Sequence, residues 1–338
     1  MAKQVWTYEQ LMSSLKRKEY KPVYMLMGDE SFYIDQIADY IEEHVLTEDE
    51  KAFNQTILYG KDTSLGEIIM AAKRYPMMSP YQVIIVKEAQ HIKNFDDLQF
   101  YLENPLNSTL LVFCHKYGKL DGRKKSTQEI EKKGVLFESK KLFDNQVAGW
   151  IESYVKSMQV GIDNKASNML AEYLGNDLTR IVHEVEKLLI TKPKEQTSIT
   201  PELIERNIGI SKDYNNFELV SALTNKDILK CNRIVDYFGK NTKNNPLVVT
   251  ITVMFNFFSN LLFYHSLKDK SQMNVANELK INPYFVKDFQ QAASRYNAAK
   301  VTQIISDIRK TDVQSKGFGN SSISDYDLLK ELVFKILH

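Results

Sequence analysis

A strand signal that runs directly into a helix signal occupies residues 23–34, VYMLMGDESFYI. Its apolar part stops at Gly28, and from Ile34 onward apolar residues return at helical spacing. A strand that turns into a helix in this way is the repeating unit of open α/β sheets. This stretch therefore predicts an α/β domain.

Further strand signals follow it at residues 53–59, 83–86, 110–114 and 134–138. The runs 83–86 (VIIV) and 110–114 (LLVFC) are continuously apolar, as in strands that a parallel sheet buries on both faces. Ser64 and Glu67 have the spacing of a capping box, which starts a helix between two strands. Five strands that alternate with helices predict a parallel sheet over residues 1–140.

After Phe143 the apolar pattern has a helical period that it keeps to the end of the chain. Asp144 is predicted to cap the first helix, and Gly175 is predicted to end the second. Thr200 followed by Pro201 is a typical beginning for another helix, because proline suits the first helical turn. The fold class predicted for the whole chain is therefore α/β followed by all-α.

A polar segment at residues 211–216 is predicted to link two helical parts. The predicted domains are residues 1–140, 141–210 and 211–338. The longest apolar stretch, residues 246–263, is interrupted by polar residues and falls short of a membrane span of about 20 residues. These observations predict a cytoplasmic protein that does not contact a membrane.

Composition narrows the possible functions. The 338 residues are 43% hydrophobic, which excludes an intrinsically disordered chain, and the formal net charge of +1 argues against DNA binding by bulk charge alone. The two cysteines, Cys114 and Cys231, lie far apart in apolar segments and are predicted to be buried packing thiols. The six histidines have no metal-ligand spacing, so no metal site and no cofactor are predicted.

The turn after Gly28 is where an α/β nucleotide-binding protein would hold phosphate. It contains no GxxxxGK[ST] motif, and Asp29 and Glu30 place two negative charges there. Glu88, after the third strand, could polarise a water in principle, but a solvated loop carboxylate is the simpler interpretation. No catalytic residue is predicted.

Several short stretches, taken in order and spacing, resemble one known family. They are residues 21–34 (KPVYMLMGDESFYI), 76–87 (PMMSPYQVIIVK), 121–124 (DGRK), 175–178 (GNDL), 217–220 (FELV) and 245–247 (NPL). The family is that of the delta subunits of the bacterial DNA polymerase III clamp loader. The resemblance implies an AAA+-like sheet domain without a functional P-loop, followed by a helical lid and a helical collar domain.

The resemblance also implies a function and a set of partners. A member of this family binds and opens the beta sliding clamp for loading onto primed DNA during replication, and does not hydrolyse ATP itself. It belongs to a ring of five with ATP-hydrolysing subunits and a delta-prime-like subunit, and it reaches primed DNA through the complex. Two alternatives remain open: a divergent AAA+-type nucleotide hydrolase acting on DNA, and a stand-alone DNA-binding protein.

Two groups of residues are candidates for contact. In the family, hydrophobic residues from the loop before the third strand enter a pocket on the clamp, and the matching residues here are Tyr75, Pro76, Met77 and Met78. Prolines make this loop extended or turning, although its two methionines could instead fold back onto their own sheet. A possible DNA or partner contact is a basic stretch, which could also be an ordinary solvated surface; its residues are Lys116, Lys119, Arg123, Lys124 and Lys125.

Overall fold

Contacts within the chain divide it into two units, Met1–Leu142 and Phe143–His338. The computed structural model describes residues 5–193, 195–209, 211–281, 283–318 and 322–338. The predicted division into residues 1–140, 141–210 and 211–338 stays a prediction.

The first unit alternates strands with helices. Its elements are α1 (Tyr8–Lys16), β1 (Val23–Gly28), α2 (Ser31–His44), α3 (Glu48–Asn54), β2 (Gln55–Tyr59), α4 (Leu65–Ala72), β3 (Gln82–Lys87), α5 (Leu98–Leu102), β4 (Thr109–Lys116), α6 (Lys125–Lys133) and β5 (Val135–Ser139). Short 3₁₀ turns at Ala89–His91 and Phe95–Asp97 precede α5.

The described strands of this unit form one parallel sheet in the order β2-β3-β4-β1-β5. Tyr24 of β1 lies opposite Val112 of β4 on one side and Val135 of β5 on the other. The strands run parallel because a helix connects each strand to the next. The predicted parallel α/β sheet is therefore confirmed.

Both faces of the sheet are covered, as its continuous apolar runs predict. Leu26 and its neighbours on one face pack against α1 and α2, whereas Met25 and its neighbours on the other face pack against α4, α5 and α6. The carboxyl ends of the strands meet at one edge, which therefore collects Gly28, Lys87 and Lys116. Functional groups of open α/β sheets lie at this edge.

The second unit is built mainly of helices. They are α7 (Asp144–Ser157), α8 (Asn164–Leu174), α9 (Leu178–Thr191), α10 (Pro201–Ile208), α11 (Asn216–Asn225), α12 (Ile228–Lys240), α13 (Leu247–Ser266), α14 (Gln272–Leu279), α15 (Val286–Arg295), α16 (Ala298–Ser315) and α17 (Asp325–Leu337). The expected purely helical pattern is wrong in one detail, because the two-residue strands β6 (Gly161–Ile162) and β7 (Ser198–Ile199) pair in parallel.

Helix α13 is longer than the sequence pattern indicated. It has 20 residues, and an 18-residue window within it has a mean hydropathy of 1.7, so the helix is long and apolar enough to cross a membrane by length and composition alone. The expectation that this stretch falls short of a span is therefore wrong on length. One face of α13 packs in the core of the second unit, and the buried residues are Leu247, Thr250, Ile251, Met254, Phe258, Leu261 and Tyr264.

The strand predicted at residues 53–59 is partly wrong. Phe53 and Asn54 form the last turn of α3, and β2 begins only at Gln55. A capping box starts α3, because the Thr47 N–H donates to Glu50 Oε2 at 2.9 Å. This helix start outweighs the strand preference of Phe53.

Helix ends in the second unit follow two of the predicted signals. Gly175 ends α8 with φ +67°, and the Thr200 side chain caps α10 by accepting from the Leu203 N–H. The predicted cap Asp144 is wrong, because it is already the first residue of α7. The cap position is Phe143, whose N–H donates to the side chain of Gln146 at 3.0 Å.

The predicted linker at residues 211–216 is shorter than expected. Asn215 caps α11, because its Oδ1 accepts from the Glu218 N–H at 3.0 Å, and Asn216 is the first helical residue. Both asparagines are buried, so polarity alone was a poor guide to exposure here.

Candidate functional site

The loop between α4 and β3 carries the candidate apolar residues on its surface. Tyr75 is 75% exposed and Met77 is 63% exposed, while Met78 is fully exposed and Pro76 is half-buried. The alternative in which the methionines pack onto their own sheet is therefore wrong. Three residues of one short loop thus expose apolar side chains, which makes the loop a candidate contact site.

Helix α3 holds this loop through the side chain of Asn54. Asn54 Nδ2 donates to the Met77 carbonyl at 2.9 Å, and the Met77 N–H donates to Asn54 Oδ1 at 2.6 Å. Asn54 was missed by sequence reasoning because it lies 23 residues before Met77.

The backbone just after this attachment has an unusual conformation. Met78 has φ +54°, the left-handed region, which costs a residue with a side chain roughly 1–2 kcal/mol. Such a conformation persists when the surrounding contacts fix it. The hydrogen bonds between Asn54 and Met77 and those between Ser79 and Tyr81 supply that constraint, and the Met78 side chain is fully exposed.

The basic stretch is largely neutralised by nearby carboxylates. Four of its five cations lie within ion-pair distance of an acidic partner: Lys116 with Asp35 (2.7 Å), Lys119 with Glu138 (3.6 Å), Arg123 with Asp121 (2.7 Å) and Lys124 with Asp96 (2.8 Å). Lys125 is exposed. These ion pairs leave less positive charge available to bind the phosphates of DNA than the number of basic residues in the sequence suggests.

The turn between β1 and α2 is occupied by the chain's own carboxylate. Glu30 is the N-cap of α2, only 5% exposed, and its Oε1 accepts from the Phe32 N–H at 3.2 Å. The first N–H groups of a helix are the ones that would bind a phosphate. In this protein the buried carboxyl group of Glu30 already lies against them.

Strand β5 closes the same turn from its other side. The Ser139 hydroxyl donates to the Met27 carbonyl at 3.2 Å, and the Asp29 N–H donates to the Ser139 carbonyl at 3.3 Å. A Cβ on Gly28 would lie 2.0 Å from that carbonyl oxygen, so only glycine fits. The turn is thus packed against protein rather than open to a ligand.

Two other polar side chains, Glu88 and His115, lie at this edge of the sheet. Glu88 pairs with Lys61 at 3.2 Å, and burial lowers the pKa of His115. Among the described residues, no three His, Cys, Asp or Glu side chains are placed to hold a metal ion. Cys114 and Cys231 are buried, as predicted, and burial raises the pKa of each thiol to about 12.

The cap role of Glu30 has a measurable consequence for stability. Replacing Glu30 by alanine is expected to lower the free energy of unfolding of the first unit by about 1 kcal/mol, because the N-cap hydrogen bond of α2 is lost. Urea denaturation measures this change. The matched control is Glu43→Ala, which removes an exposed carboxylate from the same helix. Equal losses in the two variants would contradict the cap assignment.

Sequence comparisons match two parts of the chain to one family. The family described as "DNA polymerase III, delta subunit" matches residues 24–140. The family described as "DNA polymerase III delta subunit, C-terminal domain" matches residues 213–334. The two matches together cover more than half of the chain.

A protein sequence and a solved structure, both from Bacillus subtilis, match over nearly the whole length. The DNA polymerase III subunit delta of strain 168 is 25% identical over 331 residues, which are 94% of this chain and 93% of that protein. The solved structure of the DNA clamp loader delta protein is 23% identical, with a TM-score of 0.52 over 98% of this chain and 99% of that one. The structural likeness supports the fold.

Proposed function

Because the chain belongs to the family of DNA polymerase III delta subunits, we propose that it binds the beta sliding clamp and opens it for loading onto primed DNA. It is the delta subunit of a clamp loader by family. Two parts of the proposed function go beyond family membership. They are that this chain opens the clamp and that it does not hydrolyse ATP itself.

The observation that carries the proposal is the loop between α4 and β3. Met77 and Met78 are exposed side by side on a backbone that α3 holds in place. Methionine is unbranched and polarizable, so it adapts well to an apolar pocket on a partner. Tyr75 and Pro76 flank the methionines and complete the proposed clamp contact.

The turn after β1 supports a non-catalytic role. A nucleotide hydrolase needs free N–H groups and a cation where the phosphates bind. Here Glu30 caps α2 and Ser139 closes the turn, and no group in this turn would compensate the phosphate charge. The divergent hydrolase is therefore the weaker alternative, and ATP hydrolysis falls to partner subunits.

The proposed partners follow from the family. Besides the clamp, they are ATP-hydrolysing subunits and a delta-prime-like subunit in a ring of five. Residues 211–338 would form the collar that holds the ring, and residues 141–210 the lid. We place the protein in the cytoplasm, with primed DNA reached through the complex.

The basic stretch is proposed to make only a minor contact with DNA. Replacing Lys119, Arg123, Lys124 and Lys125 by alanine is expected to reduce the slope of log affinity against log salt by about one, measured for the assembled complex on primed DNA. Ion pairs already neutralise three of these four cations. A reduction of three or more would show that the ion pairs open to bind phosphates, contrary to this expectation.

Clamp release tests the proposed function. Clamps are loaded onto nicked circular DNA, the loader is removed, and the purified chain is added without ATP. We expect release of the clamp well above its spontaneous rate. The same slow loss with and without the chain would contradict the proposed opening role.

A further inference from the structure

Asn54 contacts the exposed loop through hydrogen bonds to its backbone and not only through packing. It is the last residue of α3 and is only 3% exposed. Its side-chain amide forms hydrogen bonds with both polar groups of the Met77 backbone: Nδ2 donates to the carbonyl at 2.9 Å, and Oδ1 accepts from the N–H at 2.6 Å. Its Nδ2 also donates to the Glu50 carbonyl at 3.1 Å, which fixes the amide relative to its own helix.

Asparagine is suited to this position because its amide supplies a donor and an acceptor side by side. That pair matches the N–H and C=O of one residue, much as a neighbouring strand would. Met77 is therefore bound through its backbone alone, and its side chain remains 63% exposed. The contact holds the loop without covering its apolar surface.

The loop closes on itself on the other side of Met78. The Ser79 hydroxyl donates to the Tyr81 carbonyl at 3.0 Å and accepts from the Tyr81 N–H at 3.4 Å. The loop is thus attached to α3 just before Met78 and held by its own hydrogen bonds just after it, and the φ of +54° at Met78 needs such support.

We propose that Asn54 is a positioning residue for clamp binding, which holds Met77 and Met78 in the conformation that enters the clamp. This inference rests on the proposed function. Without the amide, the loop samples other conformations, and the apparent affinity falls in proportion to the fraction that remains competent. Asn54 acts through the loop and is not itself a contact residue.

The test compares Asn54→Ala with the wild-type full-length chain in two measurements. The first is the dissociation constant for the beta clamp, and the second is the hydrogen-exchange rate of the Met77 amide without the clamp. The matched control is Asn215→Ala, which removes another buried asparagine with bonds to the Glu218 N–H and the Ser211 carbonyl.

For Asn54→Ala we expect clamp binding at least fivefold weaker and Met77 amide exchange at least tenfold faster. Asn215→Ala should change neither by more than twofold. If the alanine variant does not fold, Asn54→Asp replaces it. This variant has the same shape but places a carboxylate oxygen against the Met77 carbonyl, so clamp binding should again weaken at least threefold.

Three results would overturn the inference. Clamp binding within twofold of wild type, in a folded variant, would show that Asn54 does not position the contact, although the proposed function would stand. Unchanged Met77 exchange would show that the amide does not hold the loop. If the wild-type chain itself fails to bind the clamp, the proposed function fails and this inference fails with it.

Discussion

Replacing Met77 and Met78 together by alanine is expected to weaken clamp binding by at least about 2 kcal/mol, which is more than tenfold in Kd. Burying one methionine side chain contributes roughly 1.5–3 kcal/mol, and part of that gain is spent in ordering the side chain. Both side chains are exposed in the free chain, so the substitution should leave its thermal unfolding unchanged. Titration against the purified clamp measures the effect.

Met273→Ala is the control for this pair. Met273 is an exposed methionine on α14 of the second unit, so its loss removes the same kind of side chain away from the proposed contact. The Kd of Met273→Ala for the clamp should equal that of the wild-type chain. An unchanged Kd in the Met77 and Met78 double variant would contradict the proposed contact, even if the chain binds the clamp by another surface.

Glu172→Gln is expected to stabilise the second unit at alkaline pH. Glu172 lies on α8, where burial raises the pKa of its carboxyl to about 7, while hydrogen bonds from the side chain and backbone of Asn216 oppose that rise. Arg180 and Lys243 line the same cavity of about 280 Å³. At pH 8 the partly buried carboxylate is charged and costs on the order of 2 kcal/mol, which the neutral amide avoids.

The sign of the pH dependence follows from proton binding. Between the unfolded pKa of 4.5 and the folded value of about 7, the folded chain holds more protons than the unfolded chain. The contribution of Glu172 is therefore complete below pH 4.5 and is lost as the pH rises through 7. Urea denaturation from pH 5 to 8.5 should show this loss in wild type and in an exposed control, Glu186→Gln, but not in Glu172→Gln. If the free energy of unfolding fell equally with pH in wild type and in both variants, the raised pKa assigned to Glu172 would be contradicted.

Apolar runs were the most reliable guide to the fold. The runs at residues 83–86 and 110–114 are buried on both faces, so their pattern follows directly from a sheet covered by helices. The order of strands in the sheet was not predictable, because it depends on contacts far apart in sequence. Helix α3 was missed although Thr47 and Glu50 carry a capping-box signal, since Phe53 was assigned to the following strand.

The candidate site was only partly predictable from the sequence, because it also depends on contacts between residues far apart in the chain. Its two prolines identified the loop that carries Met77 and Met78 as irregular. The attachment of that loop to Asn54 is a tertiary contact that has no local sequence signal. The ion pairs that neutralise Lys116 and Lys124 also bring together separate elements, so a count of charges overestimated the basic surface.

The most direct test of the account is the affinity of the purified wild-type chain for the beta sliding clamp, measured with and without ATP. The exposed loop of the free chain is already held by α3, and Glu30 lies where phosphate would bind. We therefore predict binding with the same Kd, within twofold, in both conditions. No binding in either condition, or binding only with ATP, would contradict the account.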